Sequence, residues 1–282
     1  MEISIRQLTG EDIVEADAIL MSAFSPPSRA AALRLYLDLQ PDGFFLAVAP
    51  SGPVGMVGAV DFGAFAYIGL MAVHPQGQRQ GIGLALMQHL LGWIDGCGVP
   101  AALLDASEAG YPLYRRLGFV DCDRSLVFQY TGDSPSSDLP AGVYRLQPED
   151  LGSLAGFDAP IFGADRAKVF RSFLDAFPDR AFLTRDPSGQ VTGFLFAQEQ
   201  RLGPWVAARP QDAGALLRAA LTLPFTEAPT LVVPGSNTQA LGLLERSGFQ
   251  LVTAVHRHMQ RGGSKHPGQR ELIYSQASFA IG

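Results

Sequence analysis

The segment VHPQGQRQGIGLALMQHLLGW, residues 73–93, places a polar, glycine-bearing turn directly before an apolar helical pattern. The first N–H groups of a helix have no partner inside it, and the helix dipole makes them attractive to anions. Gly81 and Gly83 let a bulky anion approach the backbone without meeting a Cβ atom. Arg79 can add a charge-assisted contact. The segment therefore predicts a binding site for a phosphate-bearing ligand.

Two well-known phosphate-binding motifs do not account for this turn. A Walker P-loop needs Gly-Lys-Ser/Thr, which does not follow here, and a dinucleotide fingerprint needs three glycines and an early βαβ unit. The segment QRQGIG has two glycines and follows a predicted antiparallel sheet. On spacing alone, a tight turn without any ligand remains an equally open interpretation.

Length and composition indicate a globular protein of two domains. The chain has 282 residues, of which 47% are hydrophobic and 17% charged, with a net charge of −6. A single core rarely extends over so long a chain. No run rich in Lys and Arg is present, which argues against a nucleic-acid partner because phosphate backbones are bound by clustered cations.

The N-terminal sequence and the cysteines bear on the compartment. MEISIRQLTGEDI has no apolar signal region, and no stretch approaches 18 consecutive apolar residues, so we expect no membrane association. Cys97 and Cys122 are expected to be reduced and buried like small apolar residues in a cytoplasmic protein. No C-x-x-C is present and the five histidines are scattered, so no metal site is expected.

The two halves of the sequence resemble each other. IRQLTGEDI (5–13) matches VYRLQPEDL (143–151), and LYRRLGF (113–119) matches LLERSGF (243–249), with two weaker matches between them in the same order. A period of about half the chain indicates a duplication of whole domains. The loop-like segment between the halves predicts a domain at 1–131, a linker at 132–142 and a second domain at 143–282.

Each half has an α/β (α+β) pattern. In the first half, short runs with strand character surround segments of helical spacing, and the segment PSG is typical of a hairpin turn between two strands. Gly118 follows a short helical segment as a C-terminal glycine would. We therefore expect two tandem domains, each a mixed, mostly antiparallel sheet flanked by helices.

Two separated motifs in the first half are similar to those of the GNAT superfamily of N-acetyltransferases. The first is Gln78-x-x-Gly81-x-Gly83 after LMAVHP, and the second is LDASEAGYPLYRRLGF (104–119), an aromatic-rich helix ending in Gly-Phe. The order and distance of the motifs fit the family. The resemblance covers residues 3 to about 130.

The resemblance implies a binding mode for acetyl-CoA. In the family, amides of the turn bind the pyrophosphate, and the preceding strand pairs with the pantetheine arm like an additional strand. A bulge near Leu70 and Met71 would direct an N–H at the thioester carbonyl. The cofactor-binding residues carried over in this way are Met71, Ala72, Val73, Gln78, Arg79, Gln80, Gly81, Ile82 and Gly83.

The resemblance also implies a catalytic role for Tyr114. Tyr114 holds the position of the family's general acid, which protonates the CoA thiolate when the intermediate collapses. No carboxylate lies on the predicted fourth strand, so no general base is named. Asp61, Asp105 and Glu108 remain candidates, although a solvated surface role is the favoured interpretation of each. His74 and His89 receive no catalytic role.

The second half has lost both features. The cofactor motif has become PQDAGALL, in which Asp212 would repel pyrophosphate, and Leu244 replaces Tyr114. The whole chain resembles bacterial tandem GNAT proteins with a degenerate second domain, a group in which FGADR (162–166), GPWVA (203–207) and the ending SFAIG recur. Asp165 and Arg166 are interpreted either as a structural ion pair or as substrate contacts.

The leading hypothesis is an N-acetyltransferase that moves acetyl from acetyl-CoA to a primary amine of a small molecule or peptide. Two alternatives stay open: transfer of another acyl group, and a non-catalytic acetyl-CoA sensor. A sensor would keep the turn but would have no need of Tyr114. The expected partners are acetyl-CoA and an amine acceptor, with no nucleic acid, no membrane and no metal.

Overall fold

The structure is a computed structural model that describes residues 2–25, 27–132, 139–264 and 266–282. Most of the predicted linker at 132–142 lies outside the described residues, since 133–138 are not among them. We call residues 2–132 the first half and residues 139–282 the second half. Within the described ranges, no helix is both long and apolar enough to span a bilayer.

The two halves repeat the same order of elements, which confirms the predicted duplication. The first half consists of β1 (Ser4–Gln7), α1 (Ile13–Phe24), α2 (Ala30–Leu39), β2 (Phe44–Ala49), β3 (Gly52–Asp61), β4 (Ala66–Val73), α3 (Ile82–Gly96), β5 (Ala101–Ala106), α4 (Tyr111–Arg116) and β6 (Val120–Tyr130). The second half consists of β7 (Val143–Arg145), α5 (Leu151–Phe162), α6 (Ala167–Ala176), β8 (Ala181–Arg185), β9 (Val191–Ala197), β10 (Leu202–Ala207), α7 (Pro210–Leu221), β11 (Thr230–Pro234), α8 (Thr238–Arg246), β12 (Phe249–Gly262) and β13 (Ile273–Ser275).

The sequence match between residues 5–13 and residues 143–151 has a local structural reason. Thr9 and Asp12 form a capping box before α1, and Gln147 and Asp150 form the same box before α5. In each box the acidic side chain accepts a hydrogen bond from the backbone N–H three residues earlier, at 2.9 Å. The box satisfies helix-terminal N–H groups that would otherwise lack partners. The repeated Glu-Asp motif is therefore a helix start.

The two halves exchange strands. One sheet has the order β1-β2-β3-β4-β5-β12-β6-β11, and the other has the order β13-β10-β9-β8-β7. Strand β12 of the second half runs antiparallel between β5 and β6, with His258 opposite both Asp105 and Asp123. Strand β6 of the first half lies between β12 and β11. The larger sheet thus combines strands of both halves, whereas the smaller sheet consists of second-half strands alone.

The apolar core has three parts. One lies between α3, α4 and the first-half sheet, and another lies between α7, α8 and the second-half strands. The third joins the halves and includes Phe62 and Phe65 packed on Phe162, with ring centroids 5.1 Å and 5.2 Å apart. Lys168 of α6 adds a polar contact by donating to the Asp61 carbonyl at 2.7 Å. The halves therefore share a continuous interior.

The prediction about the cysteines is half right. Cys97 and Cys122 are both free thiols, as expected of reduced cysteines, but both are exposed rather than buried. Cys97 follows the last turn of α3, where the chain leaves the helix. Cys122 lies on β6, where the flanking residues Val120 and Asp121 are exposed as well. The buried interpretation failed because apolar character does not show which end of an element reaches solvent.

Candidate active site

Strand β4 contains the bulge that the resemblance implies. Gly58 of β3 pairs with Gly69, while Met56 pairs with Ala72, so Val57 lies opposite both Leu70 and Met71. Leu70 takes up the additional residue with φ at +53°. A bulge re-aims backbone groups at a strand edge. The predicted bulge at Leu70 and Met71 is confirmed, and it places free backbone polar groups at the side of β4 that faces β5.

A slot opens between β4 and β5 beyond this bulge. The two strands run parallel and pair only over residues 66–68 and 102–104. Both strands continue further, to Val73 and to Ala106. Because the ladder ends at Ile68 and Leu104, the edge of β4 from Gly69 onwards has no neighbouring strand on that side among the described residues. An extended ligand could pair with this edge as a further strand.

The polar turn between β4 and α3 follows the slot. His74 accepts a hydrogen bond from the Gln76 N–H and starts a short 3-10 turn. Arg79 and Gly81 then take left-handed conformations, with φ at +60° and +83°. Gly81 is the residue before the first turn of α3 and has open space around the position of a Cβ atom. The turn is thereby folded so that the start of α3 stays accessible.

The N–H groups of this turn have no partner within the described part of the chain. No hydrogen bond connects the backbone N–H groups of Arg79, Gln80, Gly81, Ile82 or Gly83 to any described acceptor. The four residues from Gln78 to Gly81 are exposed, while Ile82 is buried and anchors the helix in the core. Alternating backbone handedness of this kind can form an anion-binding nest.

Gly83 lies where strand β4, the start of α3 and helix α4 come close to one another. A Cβ atom on Gly83 would lie 2.9 Å from Met71 Cε, 3.6 Å from Leu113 Cδ2 and 3.8 Å from Val73 Cγ2. The start of α3, the second part of β4 and helix α4 are therefore neighbours. The structure brings the predicted cofactor residues of β4 and of the turn together at one end of the slot, beside the helix that carries Tyr114.

Tyr114 is buried in the core under α3 and α4. Its ring packs edge-on against Phe119, with centroids 6.0 Å apart, and Gly110 lies close enough that a Cβ there would be 2.9 Å from Tyr114 Cε2. No hydrogen bond to its hydroxyl occurs among the described residues. Burial raises the pKa of Tyr114 well above its usual value. The phenol therefore keeps its proton at neutral pH.

The three candidate bases have different surroundings. Asp61 lies at the end of β3 and accepts a hydrogen bond from the Gly63 N–H at 2.6 Å. Glu108 is exposed in the loop between β5 and α4. Asp105 was expected on the surface, but its side chain is fully buried. The surface interpretation of Asp105 is wrong because the second half covers this face of β5.

Asp105 is the centre of a buried polar network that the sequence did not indicate. Its carboxylate accepts hydrogen bonds from Ser125 at 2.6 Å, from Gln276 at 3.0 Å and from the Tyr67 hydroxyl, and it lies 3.1 Å from His258 Nδ1. The donors come from β4, β6, β12 and the C-terminal segment. Since four donors occupy its oxygens, Asp105 has no free lone pair directed at an amine. The geometry favours a positioning role over a basic one.

Two histidines extend this network towards the surface. His258 Nε2 lies 2.9 Å from His266 Nε2. Burial lowers the pKa of His258, and Arg270 lowers it further, whereas Asp105 acts in the opposite direction. Burial also lowers the pKa of His266, to about 4. Both rings are therefore neutral near neutral pH.

The carboxylate at the centre of the network stays charged. Burial acts to raise the pKa of Asp105, but the His258 ring, the Arg270 charge and the Ser125 hydroxyl together hold it below its usual range. A neutral His258 with its proton on Nδ1 can donate to this carboxylate, which leaves its Nε2 as the acceptor for His266. The network therefore contains one negative charge, that of the Asp105 carboxylate, buried between the halves.

The C-terminal segment, residues 276–282, packs on the face of β4 that also carries Tyr67. A Cβ atom on Gly69 would clash with the backbone of Ala280, so the segment lies directly on the strand beside the bulge. Ser278 accepts a hydrogen bond from the Tyr36 hydroxyl at 2.9 Å. The segment forms a wall on the side of β4 opposite to α3, and its residues come from the second half.

In the second half, strand β13 fills the slot that is open in the first. It pairs antiparallel with β10 through Trp205 and Ser275. On its other side, the Ser275 hydroxyl accepts from the Val232 N–H at 3.2 Å, and the Gln276 N–H donates to the Val232 carbonyl at 2.8 Å. Strand β13 thus lies between β10 and β11. A ligand arm cannot pair with β10 while the protein's own strand does so.

The remaining features of the second half fit this closure. Helix α7 begins at Pro210 after an extended Arg209, with no left-handed residue comparable to Arg79 or Gly81. Asp212 lies in its first turn and is bound by Arg209 at 2.7 Å and 3.0 Å. Leu244, in place of Tyr114, is fully buried. The charge of Asp212 and the missing phenol agree with the predicted degeneracy.

Asp165 and Arg166 do not form a pair with each other. Arg166 makes a bidentate ion pair with Asp158, with both distances at 2.8 Å and both side chains 1% exposed, and its guanidinium lies 4.0 Å from the Phe162 ring centroid. Asp165 is exposed and accepts from the Ala167 N–H at the start of α6. The structure places Arg166 in the core, whereas Asp165 stabilises the turn that leads into α6.

Two searches by sequence give different results. The first half matches the model of the acetyltransferase (GNAT) family over residues 13–119, and the second half matches an acetyltransferase (GNAT) domain model over residues 154–275. A comparison with curated proteins found no significant match. In the described part of the chain, no group of three His, Cys, Asp or Glu side chains is arranged to hold a metal ion.

Solved structures share the fold of the whole chain. A candidate acetyltransferase from Pyrococcus horikoshii is 29% identical, with a TM-score of 0.87 over 99% of this chain and 96% of its own. GCN5-related N-acetyltransferases from Sphaerobacter thermophilus and Anabaena variabilis are 17% and 19% identical, with TM-scores of 0.71 and 0.60; each aligns with 92% of this chain and with 95% and 72% of its own. The chain belongs to the GNAT family of acetyltransferases and carries two GNAT domains in tandem.

Proposed function

We propose that the protein transfers an acetyl group from acetyl-CoA to a primary amine, with the cofactor bound in the first half. Five N–H groups without partners, from Arg79 to Gly83, carry this proposal, since they lie where the open edge of β4 meets the start of α3. A pyrophosphate satisfies such groups and gains from the helix dipole. The pantetheine arm would then pair with Met71, Ala72 and Val73.

The reacting groups follow from this placement. Attack of the amine nitrogen on the thioester carbon gives a tetrahedral intermediate, whose oxyanion would be stabilised by an N–H at the bulge of Leu70 and Met71. Collapse of the intermediate breaks the C–S bond and releases a thiolate. Tyr114 would donate its proton to this sulfur, and its raised pKa keeps the proton in place until then.

The amine must lose a proton as well, and we assign that proton to water. The described carboxylates nearest to the slot offer no free basic oxygen in a buried position: four donors surround Asp105, Asp61 is held by Gly63, and Glu108 faces solvent. Proton loss to solvent requires an amine that is neutral at the working pH. The reaction should therefore accelerate as the pH approaches the pKa of the acceptor.

A binding protein without activity would be the competing function. It would use the same turn, but it would have no need of a phenol beside the slot. The Tyr114 ring is buried, yet its hydroxyl is not among the buried polar atoms that lack a partner, so the hydroxyl is open to solvent or to a ligand. The state of Tyr114 therefore favours an enzyme over a sensor.

The test is a free-thiol release assay with acetyl-CoA and a panel of amines. The same panel is run with longer acyl-CoA donors, since the turn contacts only the phosphates and leaves the acyl group to the slot. Acetyl transfer to at least one amine, lost in Tyr114→Phe, supports the proposal. Acetyl-CoA binding without thiol release across the panel would favour the sensor, and faster release from a longer donor would favour another acyl group.

A further inference from the structure

An arginine of the second half has no counterion. Arg201 lies between β9 and β10, and its Nε is buried without a hydrogen-bond partner in the described part of the chain. It forms no ion pair there either, although eight other pairs occur in the structure. Arg201 as a whole is partly exposed, but its Nε–H has lost its water and gained no acceptor in return, which is costly.

The nearest charge is another arginine. Burial is the main cause of a lowered pKa of Arg201; Tyr36 offsets part of this effect, and the charge of Arg29 adds to it. Arg29 comes from the first half, where it precedes α2, and its guanidinium donates only to the carbonyl oxygens of Ser25 and Pro27. Two cations from different halves thus lie within electrostatic range of each other.

The carboxylate of Asp17 acts on Arg29 and opposes the lowering of the Arg29 pKa by burial, whereas no carboxylate pairs with Arg201 in the described part of the chain. Asp17 accepts hydrogen bonds from the Ser28 hydroxyl at 2.6 Å and from the Arg29 backbone N–H at 2.5 Å. Glu199, two residues before Arg201, acts on Arg180 rather than on Arg201. Arg201 is therefore a cation without a counterion among the described residues at this contact of the halves.

The position of this charge relates it to the reaction. Gln198, three residues before Arg201, donates to the Ala277 carbonyl at 2.8 Å, and Tyr36, whose phenol lies within electrostatic range of Arg201, donates to Ser278. Arg201 therefore lies near the C-terminal segment. That segment covers β4 at Gly69, beside the bulge. Leu70 of the bulge packs into the same apolar cluster as Tyr36 and Ala277. Arg201 thus lies on the side of β4 that the C-terminal segment covers.

From this arrangement we infer that Arg201 and Arg29 form a subsite for an oxyanion, a carboxylate or a phosphate, carried by the acceptor amine. The inference rests on the proposed function, since it specifies the acceptor of that reaction. Arg binds both groups through paired N–H donors. The subsite would also explain what the second half contributes to the active site: the charge that selects the acceptor.

The test compares acceptors that differ only in charge. Amino acids are paired with their amides, and aminoalkyl phosphates with the matching amino alcohols, in the thiol release assay with acetyl-CoA. The anionic members should be preferred, and the better of the two anionic series identifies the oxyanion. Arg201→Gln should lower kcat/KM for the anionic members by about 10- to 100-fold, the range expected for a lost charged hydrogen bond.

Two controls make the result specific. Arg246→Gln removes an exposed arginine of α8 in the same half and should leave every acceptor unchanged. Arg201→Lys keeps a positive charge and should retain part of the preference. Equal loss for charged and neutral acceptors in Arg201→Gln, or a preference of the native protein for neutral amines, would overturn the subsite. If Arg201→Gln does not fold, Arg29→Gln serves as the second variant with the same expected loss.

A binding measurement separates this inference from the proposed function. N-acetylated amino acids and N-acetylated aminoalkyl phosphates should raise the thermal midpoint of the native protein and of Tyr114→Phe, but not that of Arg201→Gln. Absence of turnover with any amine, together with this stabilisation, would remove the proposed reaction and keep the oxyanion site. Turnover of anionic amines that is unaffected by Arg201→Gln would keep the proposed reaction and remove the oxyanion site.

Discussion

His258 of the second half lies 3.1 Å from Asp105 of the first, measured from Nδ1 to a carboxylate oxygen, and both side chains are buried. The contact joins β12 to β5 at the end of the β4–β5 ladder, where the slot begins. A hydrogen bond to a buried carboxylate is stronger than one between neutral groups. The His258–Asp105 hydrogen bond thus stabilises the contact between the halves next to the proposed site.

The histidines of this network should make stability fall in mild acid. The pKa values of His258 and His266 are lowered in the folded protein, that of His266 to about 4, from a usual value of 6.5. Below about pH 6.5 the unfolded chain takes up protons that the folded protein does not, so the folded state loses stability until the folded pKa is reached. The free energy of unfolding should decrease steadily between about pH 7 and pH 4.

The variants that test this pH dependence are His266→Asn and His89→Asn. His266→Asn should flatten the decrease, whereas His89→Asn, at an exposed position of α3, should keep the native slope. Denaturant unfolding at several pH values measures the slope. A native slope in His266→Asn would show that this ring titrates alike in both states.

One acetyl-CoA should bind per chain, and Gly83→Trp should abolish binding. A large side chain at Gly83 would occupy the space next to Met71 and Leu113, which the cofactor needs. Gly92→Trp is the matched control, because the space around Gly92 on the same helix is open. Titration calorimetry should give one site in the native protein; two equivalent sites would mean that β13 does not close the slot of the second half.

Tyr114→Phe should lower kcat by roughly 10²-fold while leaving acetyl-CoA affinity unchanged, as expected when a general acid is lost. The hydroxyl has no hydrogen bond among the described residues, so its removal should not unfold the protein. Tyr111→Phe, one turn earlier on α4, is the control and should keep the native kcat. An unchanged kcat in Tyr114→Phe would show that water protonates the thiolate.

The acidic residues around Arg166 should differ in their effect on stability. Asp158→Asn leaves Arg166 buried without its partner and should cost about 3–5 kcal/mol. Asp165→Ala removes only an exposed hydrogen bond to the Ala167 N–H and should cost about 1 kcal/mol. Chemical denaturation measures both values. Kinetics should be native for Asp165→Ala, and a higher KM for the amine with unchanged stability would restore Asp165 as a substrate contact.

Neither half should fold by itself. A chain ending at residue 132 lacks β12, so β5 and β6 would each expose an unpaired edge, and unpaired edges promote aggregation. When both halves are produced as separate chains in one cell, they should purify as one complex with native acetyl-CoA binding. A soluble first half that binds acetyl-CoA alone would show that the strand exchange is dispensable.

The sequence was informative where the signal is local. The turn at 78–83 was predicted from its own residues, and the duplication was predicted from short matching segments; the structure contains both. The bulge at Leu70 was accessible only through the family resemblance. Its φ of +53° is unusual for leucine and follows no residue preference.

The sequence did not predict contacts between residues that are far apart along the chain. His258 and Asp105 are 153 residues apart, and alternation along β12 shows that it is a strand but not which strands it joins. The three-residue strand β13 is too short to give a periodic pattern. Arg201 looks like any loop arginine until the first half is placed against it. These features depend on how the halves dock, which a single sequence does not encode locally.

The strand exchange has a consequence for synthesis on the ribosome. Strand β12, which fills the sheet of the first half, begins at Phe249, whereas β6 ends at Tyr130. The first half therefore emerges with a gap between β5 and β6 that stays open until β12 has been translated. Cofactor binding cannot assist folding of the first half before that point. Premature termination anywhere before β12 should leave a product for chaperones and proteases rather than a smaller enzyme.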